Sequence, residues 1–376
     1  MSESRRILHV VGAMNRGGIE TWLMHVLRCI DRERFRMDFL VHTRRPGDYD
    51  AELESLGARI LPCPYAHQPL AYAREFRRIV RENGPYDVIH SHVHHFNGFV
   101  LRLAESAGIP QRIAHSHNDP SSADAARGIL RQGYAWISGR WIRAYATDGA
   151  GCSRRAAESL FGAEWQRDGR WRVLSYSIDL AAFGAGSDRV SVRAELGIPA
   201  DAFVIGHTGR FVDQKNHAFL LKIARELVRL EPRTRVVLVG DGPLRPAIAE
   251  MADAYGIRGA VDFLGVRRDV ARLMMGAMDL FVFPSHFEGL GLVVVEAQAA
   301  GLPCLISRRV PEEADIVPGL IHRLSVDDPP EEWAQTALAI RAQPRSISQE
   351  DALAAVRASS FNIAQGVRAV EEIYAG

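Results

Sequence analysis

Lysine is nearly absent: Lys215 and Lys222 are the only two, against 44 arginines. In a chain that builds positive charge from planar guanidinium groups, an ammonium at 215 suggests a need for a compact point charge. Cysteine is scarce too. Cys29, Cys63, Cys152 and Cys304 stand apart with no CxxC spacing, which disfavours a disulfide framework or thiolate metal site and fits reduced thiols. No apolar run reaches the ~18 residues that a membrane span needs. The short apolar run 7–13 leads into Asn15, Arg16 and two glycines, so no secretory signal is expected. GxGxxG is missing, which disfavours a nicotinamide-dependent dehydrogenase. No DxD-type acidic pair follows a strand end. Net charge is missing as well: a formal +1 removes any global case for a nucleic-acid partner.

What is present is ordinary globular material, 47% hydrophobic and 24% charged over 376 residues, enough for two domains. Residues 1–180 carry 25 arginines against 20 acidic residues; residues 181–376 carry 21 basic against 25 acidic. The halves therefore differ in sign, through different partners or through compositional drift. Strands are expected at 7–11, 37–41, 59–61, 87–90, 112–115, 144–152 and 172–174. A second series falls at 203–206, 235–239, 261–264, 280–283 and 303–307. Helical patterns lie between them, as at 20–30, 70–82, 218–230 and 244–255. This alternation predicts an α/β chain with two doubly wound parallel sheets. The domains are placed at 1–180 and 187–345, with a glycine-rich seam over 179–191. Two helical stretches follow Ser325, and 346–376 is read as a terminal helical segment with a buried stripe at Ile363, Val367, Val370 and Ile373.

In such sheets the loops after the strands hold ligands. The first strand ends in GAMNRGGIE, where Gly17 and Gly18 allow close backbone approach or form a plain tight turn. Six of the 14 histidines, His90, His92, His94, His95, His115 and His117, fall after two strands. They read as a metal site, as structural histidines, or as a polar wall for hydroxyl-rich ligands with one imidazole near the reaction centre. On the third reading His94, His95 and His115 would bind the acceptor. Further on, Arg210 and Lys215 precede a helix that Asn216 can cap. Together they suit a diphosphate, or they are a solvated basic loop. GDGP at 240–243 is a weak turn signal. In FPSHFEGLGLVVVEAQAAGLP, Glu288 and Glu296 are separated by seven residues, with Gly289, Leu290 and Gly291 between. A helix from about 290 would give an anion site, with Glu296 placed to accept from a vicinal diol such as a ribose. The run 292–295 also reads as a strand, and two carboxylates could equally mark a glycosidase.

The ordered set GGIE, RFVDQKN, GDGP, FLG and E-x7-E resembles the retaining glycosyltransferases of family 4, with HSHND and VPEEAD most like the exopolysaccharide-type members. The resemblance covers essentially the whole chain. It implies a GT-B fold, two Rossmann-like domains facing across a cleft with the C-terminal helix crossing back, and no metal or other cofactor. It gives Arg210 and Lys215 to the donor diphosphate and Glu296 to the ribose. Glu288 and the backbone at Gly289–Gly291 would hold the transferred sugar. Gly17 and Gly18 would approach from the other domain, and His117 would stand near the reacting carbon. LSYSID at 174–179 departs from the family's asparagine–glycine or tyrosine–glycine pair, which touches only the linker.

The expected activity is transfer of a hexose from a nucleotide sugar, a UDP-sugar, to a saccharide or lipid-linked saccharide, in exopolysaccharide or cell-surface glycan synthesis. His117, Glu288, Arg210 and Lys215 are the expected catalytic set. A sugar-nucleotide epimerase and a non-catalytic nucleotide-sugar-binding protein are the alternatives. A cytoplasmic chain is expected. Over 71–83, Tyr72, Phe76, Ile79 and Val80 form a stripe flanked by Arg74, Arg77, Arg78 and Arg81, read either as a peripheral contact with an anionic membrane or as a core-facing stripe with solvated arginines.

Overall fold

The computed structural model describes residues 4–117, 129–344 and 347–376, with the backbone alone for 129–132. Two compact units emerge, Met1–Ser177 with Ile363–Gly376, and Ile178–Asn362.

The first unit is built on a parallel sheet of seven strands: Arg5–Val11 (β1), Phe35–Val41 (β2), Ile60–Pro62 (β3), Val88–Ser91 (β4), Gln111–Ser116 (β5), Asp148–Gly151 (β6) and Trp171–Val173 (β7). Their order is β3-β2-β1-β4-β5-β6-β7. The central strands bury both faces, as a sheet covered by helices requires. One face carries Leu8, Val10, Ile89 and Ala114 into a core shared with Tyr72, Phe76 and Ile79. The other carries His9, His90 and His115, with His9 paired in register with His90.

The second unit repeats the plan with Phe203–Thr208 (β8), Thr234–Val239 (β9), Val261–Gly265 (β10), Leu280–Phe283 (β11), Cys304–Ser307 (β12) and Ile321–Leu324 (β13). Their order is β10-β9-β8-β11-β12-β13, again parallel. The reversal between β8 and β11 matches the one between β1 and β4.

Several expectations need correction. The strand placed at 144–152 starts later, because the helix Ile129–Tyr145 runs on to bury Ile142 in the core just before β6. Of the two readings of 292–295, the helix expected from about 290 is the one that forms, as Leu292–Ala299, despite three β-branched valines. Burial of Val294, Val295, Ala297, Gln298 and Ala299 overrides local propensity there. Three helices, not two, follow Ser325: Pro330–Ala342, Gln349–Ala358 and Ile363–Ala375. The 346–376 stretch divides, since Gln349–Ala358 stays with the second unit and Ile363–Ala375 belongs to the first. The stripe of the helix Pro69–Asn83 is core: Tyr72, Phe76, Ile79 and Val80 are buried, so no apolar face is left there for lipid. Arg78 on its outer side pairs with Glu75 and Glu82.

Candidate functional site

In the second unit, β8 leads into the loop 209–216 and β11 into the loop 284–291, so both emerge at the reversal. A ladder of bonds joins them. The His286 amide donates to the Gln214 carbonyl at 2.8 Å. Gln214 Nε2 donates to the Phe287 carbonyl at 3.0 Å and to Glu288 Oε2 at 3.3 Å. Asn216 Nδ2 donates to the Pro284 carbonyl at 3.1 Å. Lys215 Nζ stands 2.6 Å from Glu288 Oε1 and 4.8 Å from the centre of the Phe283 ring. Asn216 adopts a left-handed φ of 53°, which lets its side chain cap the helix His217–Leu230 while the chain reverses. Glu288 is only 6% exposed, so Lys215 is the charge that allows its carboxylate to sit there.

GDGP supports this loop from beneath. A Cβ at Gly240 would stand 2.1 Å from the Gly209 carbonyl oxygen, so only glycine lets the two turns approach. Arg210 is exposed, and its guanidinium has no ion pair or hydrogen bond among the described residues. In the same unit the buried His207 Nε2 and Thr208 Oγ1, both ring nitrogens of His217 and Ser285 Oγ lack partners among the described residues. Buried polar atoms without partners are costly, and these five, at the end of β8, at the start of the helix His217–Leu230 and just after β11, suit a polar ligand. Burial lowers His207 to about 4 and His217 to about 2, so both are neutral.

Gly291, at φ 86°, starts the helix that carries Glu296. Gly289 and Leu290 are buried just before it. Glu296 is partly exposed as a residue, yet burial around its carboxyl raises the pKa to about 7.

In the first unit Gly17 precedes the helix Gly18–Cys29. A Cβ at Gly17 would strike Glu20 Oε2 at 2.4 Å, whereas one at Gly18 would meet open space. Protein packing therefore does not demand glycine at 18, and room for a ligand remains. His94 and His95 form a half-buried turn with their rings 4.2 Å apart. His115 is 0% exposed and lies inside the sheet, so it cannot face an acceptor as expected. His117 is 5% exposed, with Nε2 on His92 Nδ1 at 2.7 Å and Nδ1 on the Tyr176 hydroxyl. Both its nitrogens are thus engaged within the protein. Asn118 and Asp119, the end of HSHND, lie outside the described residues.

Burial holds His9 and His115 at about 3 and His90, His92 and His117 well below the ordinary imidazole value, while Asp38 pulls His9 slightly upward. Single ring nitrogens of His9, His90 and His92, and of His92, His115 and His117, lie within 4.8 Å of one another, which is near enough for an ion. His9 was legible as the β1 neighbour of His90 once the two strands pair. Ser285 and His217 sit beside segments singled out from sequence but carry no motif of their own.

Residues 188–346 match the family described as Glycosyl transferases group 1, and residues 17–177 match the Glycosyl transferase 4-like domain. The chain belongs to the group 1 glycosyltransferases. This glycosyltransferase is 39% identical over 345 residues to the candidate glycosyltransferase EpsF of Bacillus subtilis (strain 168), covering 89% of this chain and 87% of that one. It is 27% identical over 228 residues, 59% of this chain and 58% of the other, to the UDP-Gal:alpha-D-GlcNAc-diphosphoundecaprenol alpha-1,3-galactosyltransferase of Escherichia coli. The structure of Anabaena HepE in complex with UDP and glucose superimposes with a TM-score of 0.81 at 18% identity, covering 98% of this chain and 99% of that one. Its fold is the GT-B fold of those enzymes.

Two outcomes follow for solution experiments. The five lowered imidazoles are neutral when folded, whereas the unfolded chain protonates near pH 6.5. Their contribution to stability is therefore complete above about pH 6.5 and lost as pH falls toward about 3. Thermal melting should drop steeply from pH 6.5 to 5, and a flat profile would contradict neutral packing. For the ion pair, urea unfolding of Lys215→Met should show a loss of ~3 kcal/mol, falling below ~1 kcal/mol in the Glu288→Gln background. Equal losses in both backgrounds would mean the pair is not coupled.

Proposed function

We propose that this glycosyltransferase moves a hexose from a UDP-sugar to a hydroxyl of a saccharide or lipid-linked saccharide, with retention and without a metal, in exopolysaccharide or cell-surface glycan synthesis in the cytoplasm. The observation that carries the donor reading is the β8/β11 crevice. There an unpaired guanidinium and the Lys215–Glu288 pair stand on the loops that leave β8 and β11, and five unpartnered polar atoms lie on the flanking segments. HepE supports a uridine donor, having been crystallised with UDP and with UDP-glucose. The E. coli relative, named for a UDP-Gal donor and a diphosphoundecaprenol-linked acceptor, supports the acceptor class.

Transfer from such a donor builds negative charge on the departing diphosphate. Arg210 and Lys215 lie where they can offset that charge, aided by the amides at the start of the helix Leu292–Ala299. Glu288, paired with Lys215, accepts from sugar hydroxyls. Glu296 accepts from the ribose diol. Neither carboxylate is assigned as a covalent nucleophile. The acceptor attacks the face that the diphosphate leaves, and its proton passes to the leaving phosphate oxygen. His117, a neutral ring oriented by His92 and Tyr176, is assigned a place beside the transferred sugar, near its reacting carbon.

Two assays test this reading. Arg210→Ala should lower kcat/KM by roughly 10- to 100-fold, the ~1.5–3 kcal/mol of a charge-assisted contact, with melting unchanged. Unaltered turnover would remove the diphosphate assignment. Activity should persist in excess EDTA, because Arg210 and Lys215 can supply the positive charge that a metal would bring to the diphosphate. Loss on chelation with recovery on adding Mn²⁺ or Mg²⁺ would return the histidines to consideration as ligands. Donor consumption without any acceptor, giving an isomerised sugar nucleotide, would favour the epimerase.

A further inference from the structure

Seven buried side chains of the first unit are linked end to end. His115 Nδ1 meets His90 Nε2 at 3.0 Å, and His90 Nδ1 meets the Tyr374 hydroxyl at 2.8 Å. The same hydroxyl meets His9 Nε2 at 3.3 Å, and His9 Nδ1 meets His92 Nε2 at 3.0 Å. His92 Nδ1 meets His117 Nε2 at 2.7 Å, and His117 Nδ1 meets the Tyr176 hydroxyl. Each of the seven is at most 6% exposed. Trp22, itself 1% exposed, lies edge-on or tilted against four of the imidazoles and stacks on Tyr176.

A neutral imidazole brings one N–H and one lone pair, and a hydroxyl brings one O–H. Seven members therefore bring seven protons to six links, leaving one surplus donor. That donor can sit at His115 Nε2, at Tyr374 or at Tyr176. His115 Nε2 has no partner among the described residues. The Tyr374 hydroxyl reaches only its two histidines among the described residues. Tyr176 has the Cys152 sulfur close by as a candidate further acceptor, and that Sγ lies 3.5 Å from the carbonyl of the neighbouring His117. Orphaned buried donors are rarer than orphaned acceptors, so the surplus belongs at Tyr176. Every donor then points from His115 toward Tyr176.

We infer that these seven residues form one polarised hydrogen-bond chain with all five imidazoles in the Nδ1–H tautomer, and that Tyr374 is a positioning residue fixing the tautomer and orientation of His117. The link to transfer rests on the proposed placement of His117 beside the sugar; the chain itself does not. A shared metal ion is the competing arrangement. It would need lone pairs of His92, His115 and His117 turned to one point about 2.0–2.1 Å away, whereas only His115 Nε2 is without a partner. Removing the Tyr374 hydroxyl cuts the chain in its middle. His9, His92 and His117 then lose the donor that sets their direction, and the three can reverse together.

The test is long-range ¹⁵N–¹H correlation spectroscopy of the full chain with labelled histidine at pH 7.5, with metal analysis of the same sample. The wild type should show all five rings as Nδ1–H. Tyr374→Phe should keep His90 and His115 as they are and turn His9, His92 and His117 into tautomer mixtures. Its kcat should fall roughly tenfold while the donor KM stays within about twofold. An Nε2–H ring among the five in the wild type, or a stoichiometric metal with shifted ring nitrogens, overturns the chain. An unchanged His117 tautomer or unchanged kcat in a folded Tyr374→Phe variant overturns the positioning role. The wild-type spectrum needs neither substrate nor variant, so it decides the chain even if Tyr374→Phe does not fold or the proposed transfer is wrong.

Discussion

The reversal of strand order at the middle of each sheet is the constraint on which the candidate site depends. A parallel sheet must return its chain through helices, and where successive connections run to opposite sides, the loops leaving the two central strands diverge. In the second unit those strands are β8 and β11, and the divergence sets 209–216 against 284–291. The bonds from Gln214, Lys215 and Asn216 hold the two loops together, while polar atoms of His207, Thr208, His217 and Ser285 beside them stay unpartnered among the described residues. A site of this kind is set before its ligand arrives. The buried Lys215–Glu288 pair adds little net stability, because desolvation offsets its attraction. Its effect is orientation: it holds a carboxylate and an ammonium against each other in a buried setting.

The first unit answers the same topology with different chemistry. The strands at its reversal, β1 and β4, carry histidines where most sheets carry aliphatic residues. Burial keeps those rings neutral. Neutral rings can pair with each other, so a polar cluster becomes a core without needing water. The helix Ile363–Ala375 completes that core through Tyr374, which ties the end of the sequence to the strand ends.

Much of this was legible in the sequence. Strand and helix alternation gave the class, and most strands fall within one to three residues of their expected ends. Arg210, Lys215, Glu288 and Glu296 could be singled out because each follows a strand or opens a helix in a glycine-rich context. The rest was hidden for physical reasons. β13 is a four-residue strand of two apolar and two basic or imidazole residues, too short for periodicity to show. The valines of 292–295 left helix and strand both open there, and burial decides for the helix Leu292–Ala299. The stripe of Pro69–Asn83 reads alike for a membrane and for a core, and only the packed sheet distinguishes them. The partnership of His90 with Tyr374 spans 284 positions, beyond the reach of any local pattern.

The central claim is that the β8/β11 crevice holds the donor's diphosphate on preset charge. It is tested most directly by calorimetric titration of UDP into the wild type and into the Lys215→Met/Glu288→Gln double variant, in which no buried charge is stranded. The wild type should bind, and the folded double variant should bind at least about tenfold more weakly, the loss of one charge-assisted contact. Equal affinity in the two proteins would contradict it.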